Sequence, residues 1–338
     1  MPVVRVLEVV RETADAHTLV LEPVEGEAFD YRPGQFLTVR VPSERPGGAA
    51  RCYSLCSSPH GDDTAAITVK RTAAGYASNW ICDHVVAGTE LEVLPPAGTF
   101  VPATLDEDLL LVAAGSGITP VLSILKSVLR AGRGRVHLVY ANRDEDSVIF
   151  RDQLAGLVGE HPDRLCVTHW LESVQGRPDR ASLATLLAPY ADREAFVCGP
   201  EVFMDLATAA LHDLGAGRER VHVERFVSLE GDPFAVVEVE VPDDAGDAAA
   251  LEVTLDGETT ALAWPPSGKL LDVLLAAGVA APFSCREGNC SACACVVLEG
   301  EVDLEHNQVL DEVDLAEGLV LACQARPRTD RVRITFDA

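Results

Sequence analysis

Four cysteines near the C-terminus constrain this chain more than any other feature. Cys285, Cys290, Cys293 and Cys323 are separated by four, two and twenty-nine residues. Three thiols in one loop, with a fourth from a distant segment, is the plant-type ligand spacing of a [2Fe–2S] cluster. Gly288, Ser291 and Ala292 are small enough for the loop to wrap an inorganic core closely. Amide N–H groups can then point at sulfur, which stabilises the reduced, more negative cluster. A tetrahedral zinc site is the alternative. Structural zinc ligands, however, usually come as paired Cys-x-x-Cys knuckles, and here Cys323 stands alone in Leu321-Ala322-Cys323-Gln324. Cys295 lies two residues beyond Cys293, so strand alternation turns it away from the cluster as a small core residue. Cys52, Cys56, Cys82 and Cys166 read most simply as buried thiols. Such a cluster moves one electron at a time, so the rest of the chain must supply or accept electrons.

The 338 residues allow two or three domains. A net charge of −26, with three lysines among 27 basic residues, argues against nucleic-acid partners. It fits either docking to a basic protein or a plain solvated acidic surface. Residues 1–10 lack the features of a signal peptide. The apolar stretch 109–125 is broken by Gly115, Ser116, Gly117, Thr119 and Pro120, too often for a membrane span. Ten cysteines in a long chain without a signal favour thiols and metal sites in a reducing cytoplasm. The sequence carries no oligomerisation signal, and a monomer is the simplest expectation.

Residues 1–104 read as β-rich, with short runs at 3–9, 18–22, 36–41, 66–70 and 90–93 between Pro/Gly turns. Over 105–227 the rhythm changes. Strand-like 109–114, 135–142, 165–170 and 195–198 alternate with helices expected near Pro120, Ser147, Ser182 and Glu201, which predicts a parallel sheet wrapped by helices. Residues 228–249 turn acidic and read as an extended linker, with a short strand at 236–241 inside it. Residues 250–338 form a compact segment. There 251–255 and 259–264 flank Asp256-Gly257, a two-residue hairpin signal, a helix is expected over 269–277, and a strand closes at 331–336.

Gly115-Ser116-Gly117-Ile118-Thr119-Pro120 follows an apolar strand and opens a helix. Glycines let backbone approach a pyrophosphate, and a helix N-terminus supplies N–H groups and a favourable dipole. Proline stands where the Rossmann dehydrogenase fingerprint has its third glycine. Cys198-Gly199-Pro200 makes a second strand-to-helix turn at the sheet's C-terminal edge, where ligands collect. Tyr140-Ala141-Asn142-Arg143 ends the second strand of this half, where the adenosine end of a dinucleotide would lie. Arg143 is otherwise an ordinary surface charge. In Arg51-Cys52-Tyr53-Ser54, alternation puts Arg51 and Tyr53 on one strand face, a cation and a phenol suited to a flavin. Gly75-Tyr76-Ala77-Ser78 follows, with Ser78 read as a helix cap near phosphate.

In this order the motifs resemble the ferredoxin–NADP reductase superfamily, in the branch with a C-terminal plant-type ferredoxin domain. Arg51, Tyr53 and Ser54 match its Arg-x-Tyr-Ser flavin motif, Gly75 and Ser78 its Gly-x-x-Ser phosphate motif, and Gly115, Gly117 and Pro120 its nucleotide motif. Residues 51–59, 69–72, 140–143 and 282–288 look very like the reductase components of 3-ketosteroid 9α-hydroxylases. Reductase subunits of phenylacetyl-CoA epoxidases share the architecture and are the near rival. Ser291 departs from the glycine that most plant-type loops carry there.

The resemblance implies an antiparallel β-barrel flavin domain, an α/β parallel-sheet nucleotide domain and an α+β β-grasp ferredoxin domain. It implies FAD, NADH and a [2Fe–2S] cluster held by Cys285, Cys290, Cys293 and Cys323. Arg51, Tyr53, Ser54, Val69, Lys70, Arg71, Gly75, Ala77 and Ser78 would line the flavin. Gly115, Gly117, Thr119, Pro120, Asn142, Arg143, Cys198, Gly199 and Pro200 would line the nucleotide. Ser54, Cys198 and Phe226 would flank the hydride path, Phe226 being either a cover over the flavin or a core residue between domains. FAD over FMN rests on the resemblance, while NADH over NADPH is inferred from the lack of an obvious basic cluster for a 2′-phosphate, with Arg143 leaving that question open. The implied partner is a terminal Rieske oxygenase. A plant-type cluster near −400 mV would reduce a Rieske centre at about −150 mV downhill by roughly 6 kcal/mol. A non-catalytic flavin and iron–sulfur redox sensor is the reading from another class.

Overall fold

Alternation writes the first strands. Val4 and Val6 are fully buried while Arg5 between them reaches Glu90 at 3.0 Å. The computed structural model describes residues 2–26, 28–44, 48–235 and 248–337. Ala65–Lys70, Ala16–Pro23, Val3–Arg11 and Glu90–Glu92 form an antiparallel sheet in that order, and Phe36–Val41 pairs with Ala49–Ser54. Single bridges Phe36–Ala97, Val39–Val93 and Leu55–Ile67 stitch these pieces into a barrel. Leu37, Val39, Ile67 and Val69 fill it.

The rhythm change at residue 105 is real. Val221–Glu224, Glu194–Cys198, Leu109–Ala114, Val136–Asn142 and Leu165–Leu171 form a five-stranded sheet in that spatial order, every pair parallel. Chain order reverses between Leu109–Ala114 and Glu194–Cys198. That reversal opens a crevice at the strands' C-terminal ends, the site where open α/β sheets bind ligands. The helix Ile118–Ala131 is buried from Ile118 through Leu129, because it packs on the sheet and against barrel residues too. Its polar residues face the barrel side: Ser123 Oγ donates to Ser57 O at 2.6 Å, Ser127 and Ser58 hydroxyls meet at 2.7 Å, and Lys126 pairs with Asp62.

The helix expected near Ser147 starts later. Asp144 accepts from Ser147 N in a short turn, and Phe150 at φ +62° breaks the chain before Arg151–Glu160. Cys166 is exposed rather than buried. It lies on Leu165–Leu171, the sheet's edge strand. Cys52 and Cys82 are half-buried, and Cys56 is buried.

Met1–Val41 with Arg51–Phe226 make one compact unit; Pro42–Ala50 with Val227–Ala338 make the second. In the second, Glu258–Trp264, Ala249–Leu255, Arg331–Thr335, Ala294–Glu299 and Leu319–Leu321 form a mixed sheet in that order. Ala249–Leu255 and Arg331–Thr335 run parallel, the β-grasp arrangement. The Asp256-Gly257 hairpin forms as expected, both residues at positive φ (53° and 76°). Asp337 caps it by accepting from both amides at 2.7 and 2.8 Å. The helix Leu270–Ala276 lays Leu270, Leu271, Val273 and Leu274 on the sheet beside fully buried Trp264, each aliphatic side chain stabilising by about 1.5–3 kcal/mol. The strand expected over 236–241 lies outside the described residues. The first part of the expected extended linker is folded down instead, with Leu229 and Phe234 only 2% and 4% exposed.

Candidate functional site

The cysteine loop is shaped by three left-handed residues, Arg286 (φ 59°), Gly288 (φ 77°) and Ser291 (φ 51°). Such turns rotate successive amides to one side, as in an anion-binding nest. Glu287 N and Asn289 N donate to Cys285 Sγ at 3.3 and 3.4 Å, Cys285 N to Cys290 Sγ at 3.4 Å, and Cys323 N to Cys293 Sγ at 3.4 Å. Gln324 Nε2 reaches Cys323 Sγ at 3.5 Å. Cys285 interacts directly with the Cys290 and Cys323 thiols, and Cys293 with Cys323, so the four sulfurs form one connected group. The neighbouring thiols first, and the amide donors after them, pull Cys285 and Cys293 toward thiolate. Among the described residues no three His, Cys, Asp or Glu side chains meet single-ion geometry. A binuclear cluster asks instead for two thiolates on each of two irons. Sulfurs ringed by N–H donors suit that more negative group. Cys295 is buried in the core with its thiol raised by burial, apart from the loop's donors.

Ser291 stands at φ 51°, a left-handed conformation that accounts for the glycine most plant-type loops carry there, so the serine is strained. Ser291→Gly is expected to stabilise the second unit by about 1 kcal/mol, read by chemical denaturation of the loaded protein. An unchanged or lower midpoint would contradict that strain.

The two glycine turns of the parallel sheet meet at the switch point. A Cβ on Gly117 would stand 2.2 Å from Cys198 O and 2.6 Å from Gly199 N. Only glycine allows this approach. Gly199 is less crowded, its added Cβ lying 3.0 Å from Ala114 Cβ. Thr119 Oγ1 donates to Ser116 O at 3.0 Å, and Pro120 sits in the helix's first turn, where no partner for its missing N–H is needed. Pro200 precedes the helix Glu201–Asp213 as its N-cap. At the end of Val136–Asn142, Asn142 is 5% exposed, and its side-chain N and O reach no partner at hydrogen-bond geometry among the described residues. The adjacent Tyr140 phenol gives its proton to Gly115 O at 3.0 Å. An unsatisfied buried amide costs about 1–3 kcal/mol, and such a group suits a polar ligand. Arg143 pairs with Asp15 at 3.0 Å.

The barrel supplies the other wall. Ser54 is 3% exposed and its Oγ finds no partner among the described residues. That orphaned hydroxyl, with half-buried Arg51 and Tyr53 on the same strand, fits a polar aromatic cofactor. Burial pushes the Tyr53 phenol up, keeping it neutral. Val69 is buried, half-buried Lys70 is held down by desolvation, and Arg71 pairs with Asp83 at 2.7 Å. Ser78 is not the helix cap. Gly75 holds that place before Tyr76–His84, while Ser78 lies inside the helix beside buried Ala77 and accepts from Thr72 N at 3.1 Å. A Cβ on Gly75 would meet Thr72 Cβ at 2.9 Å, so the turn is glycine-specific. Phe226 is 45% exposed and is therefore not a core residue of its unit.

Family models describing an oxidoreductase FAD-binding domain, an oxidoreductase NAD-binding domain and a 2Fe-2S iron-sulfur cluster binding domain match residues 4–101, 111–209 and 253–328. The chain is 56% identical to the 3-ketosteroid-9-alpha-monooxygenase ferredoxin reductase component of Mycobacterium tuberculosis, over 98% of this chain and 95% of that one. The chain belongs to that reductase family. The reductase is an oxidoreductase with FAD, NAD and [2Fe–2S] domains. One component of the 1,2-phenylacetyl-CoA epoxidase of Escherichia coli is 36% identical, covering 98% and 97% of the two chains. Phthalate dioxygenase reductase shares the fold at 23% identity and TM-score 0.59, over 99% and 97%.

The sequence reading missed Glu224. It ends the strand Val221–Glu224 in register with Cys198. Burial raises its carboxyl to about 8, and burial with the Glu224 charge raises the Cys198 thiol. A carboxylate closing a parallel strand two residues before Phe226 was the available signal. Folding favours the protonated acid, so the reductase loses stability as pH rises from 4.5, the ordinary value, to about 8. Glu224→Gln is expected to be more stable, the gap widening across that window and level above it. Glu224 keeps part of its surface in water, so the gap is discounted to on the order of 1 kcal/mol. Thermal melts of both proteins at pH 5, 7 and 9 check it; a constant difference would refute the raised pKa.

Proposed function

We propose that the chain is the NADH-dependent reductase component of a 3-ketosteroid 9α-hydroxylase, delivering electrons to a Rieske-type terminal oxygenase. The observation that carries this is the pairing of a glycine-only crevice at Gly117 and Cys198 with a thiol group ringed by amides, in a chain 56% identical to a protein of that name. The barrel's orphaned Ser54 hydroxyl lies on the flavin side of the same reading.

Bound flavin accepts a hydride and releases single electrons, and the cluster carries them. Ser54 Oγ is the group that would hold the flavin ring by a hydrogen bond, with Arg51 compensating pyrophosphate charge and Tyr53 packing beside the ring. Gly75, Ala77 and Ser78 bring backbone close to phosphate, and Val69, Lys70 and Arg71 line the ring's polar edge. Gly115, Gly117, Thr119 and Pro120 receive the nucleotide with Gly199 and Pro200. Asn142 takes its adenosine end. Arg143 lies at the same end, in a surface ion pair with Asp15. Phe226 is exposed enough to cover a ligand face.

The domain layout we read is 1–104 for flavin, 105–227 for nucleotide, 228–249 as linker and 250–338 for the cluster. All ten cysteines are free thiols, and among the described residues no helix is long and apolar enough to cross a membrane.

Reconstitution tests the partner. The purified reductase is mixed with a Rieske 3-ketosteroid oxygenase or with a phenylacetyl-CoA epoxidase, and NADH-dependent product is scored. Steroid hydroxylation is expected, and it should weaken as salt rises from 0.1 to about 1 M, where screening shortens to about 3 Å. Product only with the epoxidase would move the assignment to that second system, which the 36% relative represents.

A further inference from the structure

Gln324 follows the fourth cluster cysteine and is almost wholly buried, 3% exposed. A glutamine so placed needs partners for its whole carboxamide. Nε2 donates to Arg286 O at 2.8 Å and to Cys323 Sγ at 3.5 Å. Oε1 accepts from Lys269 Nζ at 3.2 Å. An ammonium only donates and a carbonyl only accepts, so these neighbours fix which way the amide points. Gly288 crowds the stem, since a Cβ there would stand 3.1 Å from Gln324 Cγ.

Lys269 reaches this place through the fold, across fifty-five residues of chain. Leu271 N donates to Ala322 O at 2.9 Å, which pins the start of the helix Leu270–Ala276 beside the Cys323 segment. Lys269 is the N-cap of that helix. Its ammonium also pairs with Glu305 Oε2 at 3.1 Å, and Glu305 N donates to Gln324 O at 3.0 Å. Arg326 pairs with the same carboxylate, so two cations share one anion and the group keeps a positive charge. Arg286, in the cysteine loop itself, is offset by Asp272 at 3.0 Å.

A cation on the carbonyl oxygen polarises the amide and strengthens its N–H groups as donors. A donor on a ligand sulfur favours the reduced, more negative cluster. We propose that Lys269 and Gln324 form a relay that raises the reduction potential of the cluster, the ammonium acting on Cys323 Sγ through the carboxamide. Both are positioning residues, since neither is a cluster ligand, and the role rests on the electron path under Proposed function. The cluster takes one electron from the flavin and no bond forms or breaks, so the relay changes only how readily that electron is accepted.

Redox titration of the full-length, cofactor-loaded protein, followed by the paramagnetic resonance of the reduced cluster, reads the potential directly. Gln324→Leu removes the donor, and Lys269→Met removes the charge while leaving the carboxamide in place. At one fixed potential the reduced-to-oxidised ratio is expected to fall about tenfold in Gln324→Leu, which is ~59 mV for one electron. In Lys269→Met it should fall about fivefold, and Lys269→Arg should restore most of that loss. Added to Gln324→Leu, Lys269→Met should change the ratio by less than about twofold, because the relay is already cut. Iron content and flavin potential should stay at their wild-type values. Ratios within about twofold of wild type in both single variants would overturn the relay. Equal falls from Lys269→Met with and without the Gln324 donor would also overturn it, since the charge would then act through space. If Gln324→Leu fails to hold iron, the lysine variants decide: an unchanged ratio in Lys269→Met overturns the relay, and a fall that Lys269→Arg restores supports it. A wild type whose cluster cannot be reduced would overturn the electron path and the relay together.

Discussion

Gly117→Ala is expected to cripple use of NADH, lowering kcat/KM by more than about tenfold, a loss of at least ~1.4 kcal/mol in transition-state binding. The reason is local and severe. The new methyl would stand 2.2 Å from Cys198 O and 2.4 Å from Cys198 C, both backbone atoms with no rotamer to yield. One of the two turns at the switch point must therefore move, and overpacking of this kind costs about 1–3 kcal/mol. Ile118 and Thr119, which follow in the buried helix, would carry the displacement into the helix N-terminus. Steady-state kinetics with an artificial acceptor measure the loss, and flavin content after purification shows whether the barrel still holds its cofactor. Kinetics within twofold of wild type would remove the crevice from the nucleotide path.

Cys323→Ala is expected to remove the cluster while sparing the flavin. Cys323 is the fourth member of the thiol group, 2% exposed and on a segment thirty residues beyond Cys293. Without it one iron lacks a protein ligand, and binding free energy that contributes to folding is lost with the metal. Iron content and the iron–sulfur absorption should fall nearly to zero, and the second unit should melt earlier. NADH should still bleach the flavin, because the barrel and parallel sheet form their own compact unit. Cys295→Ala is the matched control. It removes an equally buried sulfur that lies in the core, so the cluster should survive, with a cost of about 1 kcal/mol from the small cavity. Equal loss of iron in both variants would mean that the ligand set is wrongly drawn.

What the sequence showed plainly was what short-range periodicity encodes. The Asp256-Gly257 hairpin, the alternating barrel strands and the glycine turns after Ala114 and Cys198 each need only a few neighbouring residues to be read. The cysteine spacing is equally local for three of its four members. What could not be read was set by pairing across long separations. That Gly117 must be glycine depends on Cys198, eighty-one residues away, and becomes visible only once the two strands lie side by side. Glu224 gains its meaning from register with Cys198 on a parallel neighbour. Ser78 looked like a cap because it is a serine near a helix start, but the turn closes three residues earlier, on Gly75, through Thr72. Cys166 looked buried because its strand is apolar, and only sheet order shows that the strand is an edge. Glu287 accepts from the Glu230 and Gly231 amides, more than fifty positions away in a stretch whose acidic composition argued for an extended linker.

The most direct test of a chain that takes electrons from NADH and releases them singly is an anaerobic titration of the purified protein followed by absorption. Overlapping flavin and iron–sulfur bands are expected, both bleached as NADH is added, with the iron–sulfur component missing from Cys323→Ala. A protein without visible absorption, or one whose bands NADH leaves untouched, would contradict that electron path.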